Sequence, residues 1–364
     1  MTFTDGRLFR ATIILLFLYL LVSILVVGKS FLIPLAWALI IAFASIRLLV
    51  RVERKVKVNR IIIILLFIIT ILAIIILIVY FFYWEIANIV GTLPSLSADI
   101  SKKLHQLSLT AAGIGIQIPD HIDANWISMQ VDSHHDLVVS VLSSISVTVA
   151  DIFLIGFYLF FLLYYQGIVL KFIHKKFKTR AKIKQANDIL SKVQLLSGSY
   201  IKGLLMITSI TFILNYIVIL IFKLDFALFF ALFVSILSLI PYIGYPLGTL
   251  VIFLFALLTK DSFLIVILTT GFVYGNNIIQ ENLLRPWLVG DQLKINAFMV
   301  FLFIIIGGII WGIAGMVLFL PMVGIIKIFL ESNPDTAPYA IFLSDVKYEI
   351  PEFSELEKKK QTDD

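Results

Sequence analysis

The chain has 364 residues, of which 60% are hydrophobic and only 14% charged, whereas a soluble domain has about 45–50% apolar and about 25% charged residues. This composition excludes an ordinary soluble domain and indicates an integral membrane protein. The absence of cysteine excludes disulfides, thiolate chemistry and cysteine-ligated metal sites. The net charge of +6 is modest, and the basic residues cluster beside apolar runs, which indicates membrane topology rather than nucleic-acid binding.

Residues 1–84 are predicted to form an N-terminal membrane region with three spans. Its apolar runs cover residues 8–27, 31–44 and 61–84. Six Lys or Arg residues and a single Glu lie between positions 47 and 60. Short loops rich in Lys and Arg remain in the cytoplasm, so we expect this loop to be cytoplasmic.

Residues 85–136 form a long polar segment with six acidic residues and two Lys. This charge balance is opposite to that of the preceding loop, and it predicts a small, mostly helical insert outside the cytoplasm. His121, His134 and His135 lie near aspartates, but their spacing matches no metal motif. We therefore expect solvated side chains here and no metal site.

Residues 137–170 are predicted to be the fourth span, and Asp151 lies within this apolar sequence. A charged group at membrane depth usually faces a bundle interior or a cavity, so Asp151 is a candidate site for a coupled proton or cation. The alternative is a position nearer the interface, with hydrogen bonds to Ser146 or Thr148.

Residues 171–200 are predicted to form a basic amphipathic helix along the cytoplasmic surface. Its first part, residues 171–184, carries seven Lys or Arg and no acid, which returns the chain to the cytoplasm after four crossings. Such a patch favours the headgroups of anionic membrane lipids as partners. No recognition module accompanies it, so we expect no nucleic-acid partner.

Residues 201–330 are predicted to be the membrane core that carries transport. A fifth span at 204–222 contains Asn215 as its only strongly polar interior residue. A further apolar run, 226–259, is interrupted at its middle by prolines and glycines, which break a regular helix. A broken helix in a bilayer needs protein or water to satisfy its backbone, which favours a substrate pathway. A packing kink is the alternative. The pathway residues expected here are Pro241, Tyr242, Gly244, Pro246 and Gly248.

The next apolar run, 263–279, ends in a dense polar string that we expect to face the broken segment. Glu281 and Arg285 lie four residues apart in this string and can form an ion pair on one helical face. A proline at position 286 ends the helix. Glu281 is a second candidate for proton or cation coupling. The pathway residues expected in the string are Asn276, Asn277, Gln280, Glu281, Asn282, Arg285 and Pro286.

A last span is predicted over residues 295–320, and glycines crowd its centre. Gly308 and Gly312 have the four-residue spacing that lets helices approach closely, as do Gly244 and Gly248 and the pair at 271 and 275. Gly307 and Gly315 are expected to contribute to the same packing. Residues 331–364 are predicted to be a polar, partly disordered tail.

Three motifs in this order resemble the AI-2E family of bacterial transporters. They are Ile240-Pro241-Tyr242-Ile243-Gly244, the stretch from Gln280 to Pro286 followed by Gly290, and the final glycine helix that ends at Pro321. Similarity covers nearly the whole chain. One departure is Ala297, where the family often has proline.

The resemblance implies an all-α, polytopic membrane protein of about eight transmembrane helices with one broken or re-entrant segment. It implies a bacterial inner-membrane location with both termini in the cytoplasm, and homo-oligomers of which the pentamer is the expected form. Some members of the family are linked to export of autoinducer-2, and others to exchange of sodium or lithium for protons.

The leading hypothesis is a secondary transporter that exports a small hydrophilic solute, such as an autoinducer-2-type signal. A Na⁺(Li⁺)/H⁺ antiporter is the alternative within transport, and a non-transporting membrane scaffold or envelope-complex partner is the alternative outside it. The sequence contains no nucleophile elbow, zinc motif or nucleotide-binding loop, so we expect neither an enzyme nor a cofactor.

Overall fold

A computed structural model describes residues 6–113, 135–284 and 295–345, with side chains described from residue 9 onward except at 90, 93–113 and 135–149. Within these ranges the chain is helical, apart from one isolated bridge between Ile295 and Ser344. The helices are α1 (Gly6–Val27), α2 (Lys29–Val56), α3 (Arg60–Gly113), α4 (His135–Tyr164), α5 (Gln166–Lys176), α6 (Arg180–Ile221), α7 (Ala227–Leu237), α8 (Gly244–Thr259), α9 (Phe263–Ile279), α10 (Ala297–Glu331) and α11 (Ala337–Leu343). The predicted all-α fold is confirmed.

Six helices in the described part of the chain are long and apolar enough to cross a membrane. A seventh span results if the end of α4 and the whole of α5, which meet at a bend of 47°, cross together. The two short apolar helices, α7 and α8, come in addition. The protein is therefore a multi-span membrane protein with a broken segment, as predicted.

Helix α2 lies at the centre of the bundle and packs against α4, α6, α3 and α10. Small residues on its buried face, Ala38, Ala42 and Ser45 among them, allow this close approach. On the α3 and α4 side, Ile64 and Leu163 belong to the same buried cluster as Ala38 and Ala42. Interdigitation of branched side chains with small ones stabilises helix contacts by van der Waals packing, which drives helix association in lipid.

Several boundaries differ from the predicted ones because composition does not end a helix. Helix α2 continues to Val56, through most of the basic segment that was expected to be a loop. Helix α3 runs without interruption from the third span through Glu85 and Pro94 to Gly113. Helix α6 joins the predicted surface helix and the fifth span into one helix of 42 residues. The change from polar to apolar residues marks where a helix changes environment, whereas helices end at caps and backbone breaks.

The start of the predicted tail is folded. Asn296 donates from its backbone N to Leu343 O at 3.0 Å and from Nδ2 to Phe342 O at 2.8 Å, which fixes α11 beside the start of α10. The Asn296 Oδ1 also accepts a hydrogen bond from the Met299 N and so caps α10. This cap fixes the helix start at the position before Ala297. Residues 346–364 lie outside the described part of the chain.

Candidate functional site

The interrupted apolar run folds back on itself as a hairpin of two helices. Contacts between α7 and α8 pair residues in reverse order: the ring centroids of Phe230 and Phe255 are 4.6 Å apart, and Gly248 lies against Val234. Helices of 11 and 16 residues are about 17 and 24 Å long, and both are shorter than the ~30 Å hydrocarbon core. Of the two forms expected for this segment, broken or re-entrant, the structure has the re-entrant hairpin.

The hairpin turn depends on glycine at position 244. A Cβ there would lie 1.6 Å from the Leu237 O, which is closer than two non-bonded atoms can approach. At Gly248 a Cβ would lie 3.2 Å from the Val234 Cα, which is tight but less severe. Tyr242 has a φ of 65°, in the left-handed region, and its side chain is 53% exposed. Pro241 is buried in the turn, and Pro246 lies exposed in the first turn of α8, where a missing N–H does no harm.

The tip of the hairpin lies between α6 and α10. Ile240 packs in a buried cluster with Tyr200 and Leu204 of α6 and with Ile304 and Val317 of α10. The Tyr200 O–H also donates to Val317 O at 2.8 Å, which joins α6 and α10 beside the tip. The turn is thus held by apolar packing on two sides.

Asn215 is fully buried in α6 and joins three helices through one atom. Its Oδ1 accepts the Tyr245 O–H of α8 at 2.9 Å and the Asn276 Nδ2 of α9 at 3.0 Å. Tyr245 is the second residue of α8, directly after the hairpin turn. The structure thus brings the broken segment and the polar string together, and Asn215 is the residue that connects them.

A second buried contact lies one helical turn away. The Thr211 Oγ1 of α6 donates to the Gln280 Oε1 at 2.6 Å, and Gln280 has no exposed surface. Gln280 begins a π-helical turn, Gln280–Leu284, that continues α9. Such turns occur often at functional sites because they rotate side chains out of the regular helical register. We call these five residues (Thr211, Asn215, Tyr245, Asn276 and Gln280), together with Thr208, Thr249 and Asn277, which each lie within four residues of one of them along the chain, the polar column.

Several polar atoms of the column have no hydrogen-bond partner among the described residues. They include two amide donors, Asn215 Nδ2 and Gln280 Nε2, and the acceptor Asn277 Oδ1. The hydroxyls of Thr208 and Thr249 also have no hydrogen-bond partner among the described residues. An unsatisfied buried polar group costs about 1–3 kcal/mol. The column therefore contains buried donors and acceptors whose hydrogen-bonding capacity is not met by described residues.

The remaining predicted residues of the string lie at its edge or outside the described ranges. Glu281 is half-buried beside Gln280, and Asn282 is exposed and donates to the Ile278 O of its own helix at 2.9 Å. Arg285 and Pro286 fall outside the described residues, and so does the expected pair of Arg285 with Glu281. Asp151 is half-buried on α4, a helix that packs on α2 and α3 and lies apart from the column.

The glycines of α10 form a turn rather than a straight packing surface. Gly312 has φ 62° and ψ −144°, a conformation that essentially only glycine adopts. A Cβ on Gly307 would lie 2.4 Å from the Gly315 O, although residues eight apart in a straight helix are about 12 Å apart. The chain therefore folds back at Gly312, and the expectation of one straight last span is corrected. A Cβ on Gly308 would meet the Met316 side chain at 2.7 Å, within the same fold.

The other glycine pair singled out in the sequence, Gly271 and Gly275, packs against nothing in the described part of the chain. No described atom lies within 4 Å of the position that a Cβ would take at either residue. The four-residue spacing alone therefore did not distinguish these glycines from Gly244 and Gly248, where a Cβ would lie too close to the backbone of the neighbouring helix.

The sequence analysis noted Asn215 as a polar residue of the fifth span but did not place it in the pathway, and it did not single out Thr208, Thr211, Tyr245 or Thr249. A signal that could have found Thr211 is spacing: Thr211 and Asn215 lie four residues apart, as do Asn276 and Gln280. Residues four apart share one helical face, so two such pairs on antiparallel helices can meet in register.

A helical membrane bundle with a re-entrant hairpin and buried amides beside it is the architecture of a membrane transport protein. The profile of the AI-2E family transporters matches residues 12–335. The chain belongs to this family.

Three relatives carry names of the same class. The "Putative transport protein YrrI" of Bacillus subtilis (strain 168) is 24% identical over 264 residues, 68% of this chain and 73% of the relative. A "Putative transport protein" of Haemophilus influenzae is 34% identical over 112 residues, 31% of this chain and 32% of the relative. Another, of Borreliella burgdorferi, is 25% identical over 166 residues, 44% and 46% of the two chains.

Proposed function

We propose that the protein is a secondary transporter that exports a small, uncharged, hydrophilic solute across the bacterial inner membrane, with its pathway along the polar column. An autoinducer-2-type furanosyl signal, rich in hydroxyl groups, is a solute of this kind. The observation that carries the proposal is the junction at Asn215, where the hairpin and the polar string meet through one buried amide.

The chemistry of the column supports an uncharged solute. Its described members are amides and hydroxyls, which can replace the hydrogen bonds that a hydroxyl or carbonyl group makes with water. The amide donors of Asn215 and Gln280 suit oxygen acceptors, and the Asn277 Oδ1 suits a hydroxyl donor. A charged solute would need a counter-charge at membrane depth.

The hairpin supplies the second part of the proposal. Its two helices reach into the bundle without crossing it, and the Gly244 turn packs between α6 and α10. Backbone groups near a break in a helix are freed from regular pairing, and transporters use such groups at their binding sites. Pro241 and Gly244 would thus fix the turn, while Tyr245 connects it to the column.

Flux through proteoliposomes tests the proposal. The probes are isotope-labelled autoinducer-2 and a set of uncharged polyols and sugars. We expect Asn215→Leu to lower flux at least tenfold, because it removes the junction, and Tyr245→Phe to lower it several-fold, because Asn276 still reaches Asn215.

Two matched variants control for general damage. Ser209→Ala changes an exposed hydroxyl of α6, and Tyr274→Phe removes an exposed phenol hydroxyl of α9, so both should keep wild-type flux. Equal flux for Asn215→Leu and wild type, for a solute that wild type transports, contradicts the proposed pathway.

A Na⁺(Li⁺)/H⁺ antiporter is the second candidate, and the place of Glu281 favours it. This carboxyl group is half-buried and adjoins Gln280 at the end of the column. In the antiporter, sodium or lithium gradients would drive proton movement and Glu281→Gln would abolish it. Proton flux measured with a pH-sensitive dye separates the two candidates, because export of an uncharged solute requires neither cation.

A further inference from the structure

Two adjoining cavities on α2 differ in the residues of their walls: one is mostly apolar and the other is basic. One, of about 310 Å³, lies between α2, α4, α5 and α6 and has mostly apolar walls. The other, of about 520 Å³, is an open groove along the final turns of α2. The residues that line the groove all belong to α2. Ile46 and Val50 line both cavities, so the two adjoin.

The groove carries four cations and no acid. Arg47, Arg51, Arg54 and Lys55 line it, whereas Glu53, the acid of this segment, does not. Arg47 is held by α6, since its Nη2 donates to the Ser191 Oγ at 2.9 Å and to the Ser191 O at 3.2 Å. The other three cations are exposed and form no ion pair with a described residue. The groove is therefore a concentrated positive surface with free guanidinium and ammonium donors.

The apolar cavity lies deeper along the same helix. Leu39, Ala42 and Phe43 line it but not the groove, so the character of the wall changes from apolar to basic along α2. From Leu39 to Lys55 the helix rises about 24 Å. Since α2 is a candidate span that ends at Val56, the basic groove lies where a bilayer has its headgroups and the apolar cavity at acyl-chain depth.

We infer that the paired cavities bind one anionic phospholipid, with its phosphate in the basic groove and the start of an acyl chain in the apolar cavity. Arginine binds phosphate oxygens in bidentate fashion, and each basic residue near a membrane surface strengthens binding to anionic lipid. The occupant must be amphiphilic, because neither a free anion nor an apolar molecule matches both walls. This site is separate from the polar column.

Residues at the bend between α4 and α5 suggest why the site matters to the bundle. Gln166 and Gly167 line the apolar cavity, and α5 begins there at the 47° bend. The Arg60 Nη2, also at the cavity, donates to the Leu163 O at 3.0 Å, near the end of α4. A bound lipid would contact both sides of this bend.

Lipid binding to the delipidated full-length protein, measured by native mass spectrometry, tests the inference. The probes are phosphatidylglycerol and phosphatidylcholine with matched chains, and glycerophosphoglycerol, which lacks chains. We expect wild type to prefer phosphatidylglycerol, and Arg51→Gln/Arg54→Gln/Lys55→Gln to weaken that binding about 100-fold at low salt. The matched control, Lys29→Gln/Lys202→Gln/Lys223→Gln, removes the same charge from exposed positions outside both the groove and the basic segment 171–184, and should retain the preference.

The apolar half of the site has its own variant. Gly167 lines the cavity and no described atom lies within 4 Å of the position of a Cβ there, so Gly167→Leu adds side-chain atoms at the cavity wall. We expect it to weaken phosphatidylglycerol binding about tenfold, and the smaller Gly167→Ala to weaken it less. Equal loss in both triple variants, wild-type binding by Gly167→Leu, or equally tight binding of glycerophosphoglycerol would each overturn the inference.

Discussion

Asn215 is the residue on which the candidate site depends most. In the sequence it stands alone as a strongly polar residue within an apolar span, and this isolation marks it as unusual. Its partners could not be predicted, because Tyr245 lies 30 and Asn276 61 residues away along the chain. Only the fold-back of α7 and α8 brings Tyr245 beside it. The pattern of residues thus predicts where polar groups are buried, whereas tertiary packing decides which of them meet.

Gly244 gives the sharpest prediction at the residue scale. We expect Gly244→Ala to destabilise the protein by about 3 kcal/mol or more, because the new Cβ would overlap the Leu237 O and force the hairpin apart. Thermal unfolding of the detergent-solubilised protein, followed by tryptophan fluorescence, measures the loss.

Gly271→Ala is the matched control for this substitution. Gly271 lies within a helix, and no described atom is within 4 Å of its would-be Cβ, so alanine should be neutral or stabilising by about 0.5–1 kcal/mol. Equal unfolding temperatures for Gly244→Ala and wild type would show that the hairpin turn is not as described.

At the scale of elements, Gly312 shows how one backbone conformation changes a helix into a turn. Its would-be Cβ meets no described atom, so space does not require glycine there. Glycine is required at this position by the backbone torsion angles, φ 62° and ψ −144°. We expect Gly312→Ala to lower stability by about 1–3 kcal/mol through backbone strain alone.

Gly91 provides a comparison for Gly312, since it also has open space around it but lies within the regular helix α3. Thermal unfolding of both alanine variants separates the two causes. If Gly312→Ala unfolded at the same temperature as Gly91→Ala, α10 would not turn at this residue.

The elements also show which boundaries a sequence can predict. The apolar runs located α1 and α9 well, because residue hydrophobicity reports the lipid environment directly, whereas α2 continues to Val56, past the predicted run 31–44. The joined helices α3 and α6 were missed as single elements, since hydropathy changes within them while backbone hydrogen bonding continues. The segment of α7 and α8 was predicted as broken or re-entrant, and the fold-back of α10 was not predicted, because proline and glycine mark where a helix ends and leave the direction of the next helix undetermined.

At the scale of the whole molecule, much apolar surface remains uncovered within one chain. In the span Phe9–Val27 of α1, no residue is buried by the rest of the described chain. In a membrane such a helix faces lipid or another copy of the protein. The homo-oligomer expected from the family, and the pentamer in particular, remains a prediction, as do the cytoplasmic positions of both termini.

Passage of solute along the polar column can be tested directly because the chain has no cysteine. Single cysteines placed at Thr249 and at Leu250 report two sides of α8: Thr249 is 5% exposed and faces the protein, whereas Leu250 is 51% exposed on the outer surface. The measurement is labelling by a small, charged thiol reagent in membranes. We predict that Thr249→Cys reacts and that Leu250→Cys, in lipid, does not. Labelling at Leu250→Cys with none at Thr249→Cys would contradict a pathway along the column.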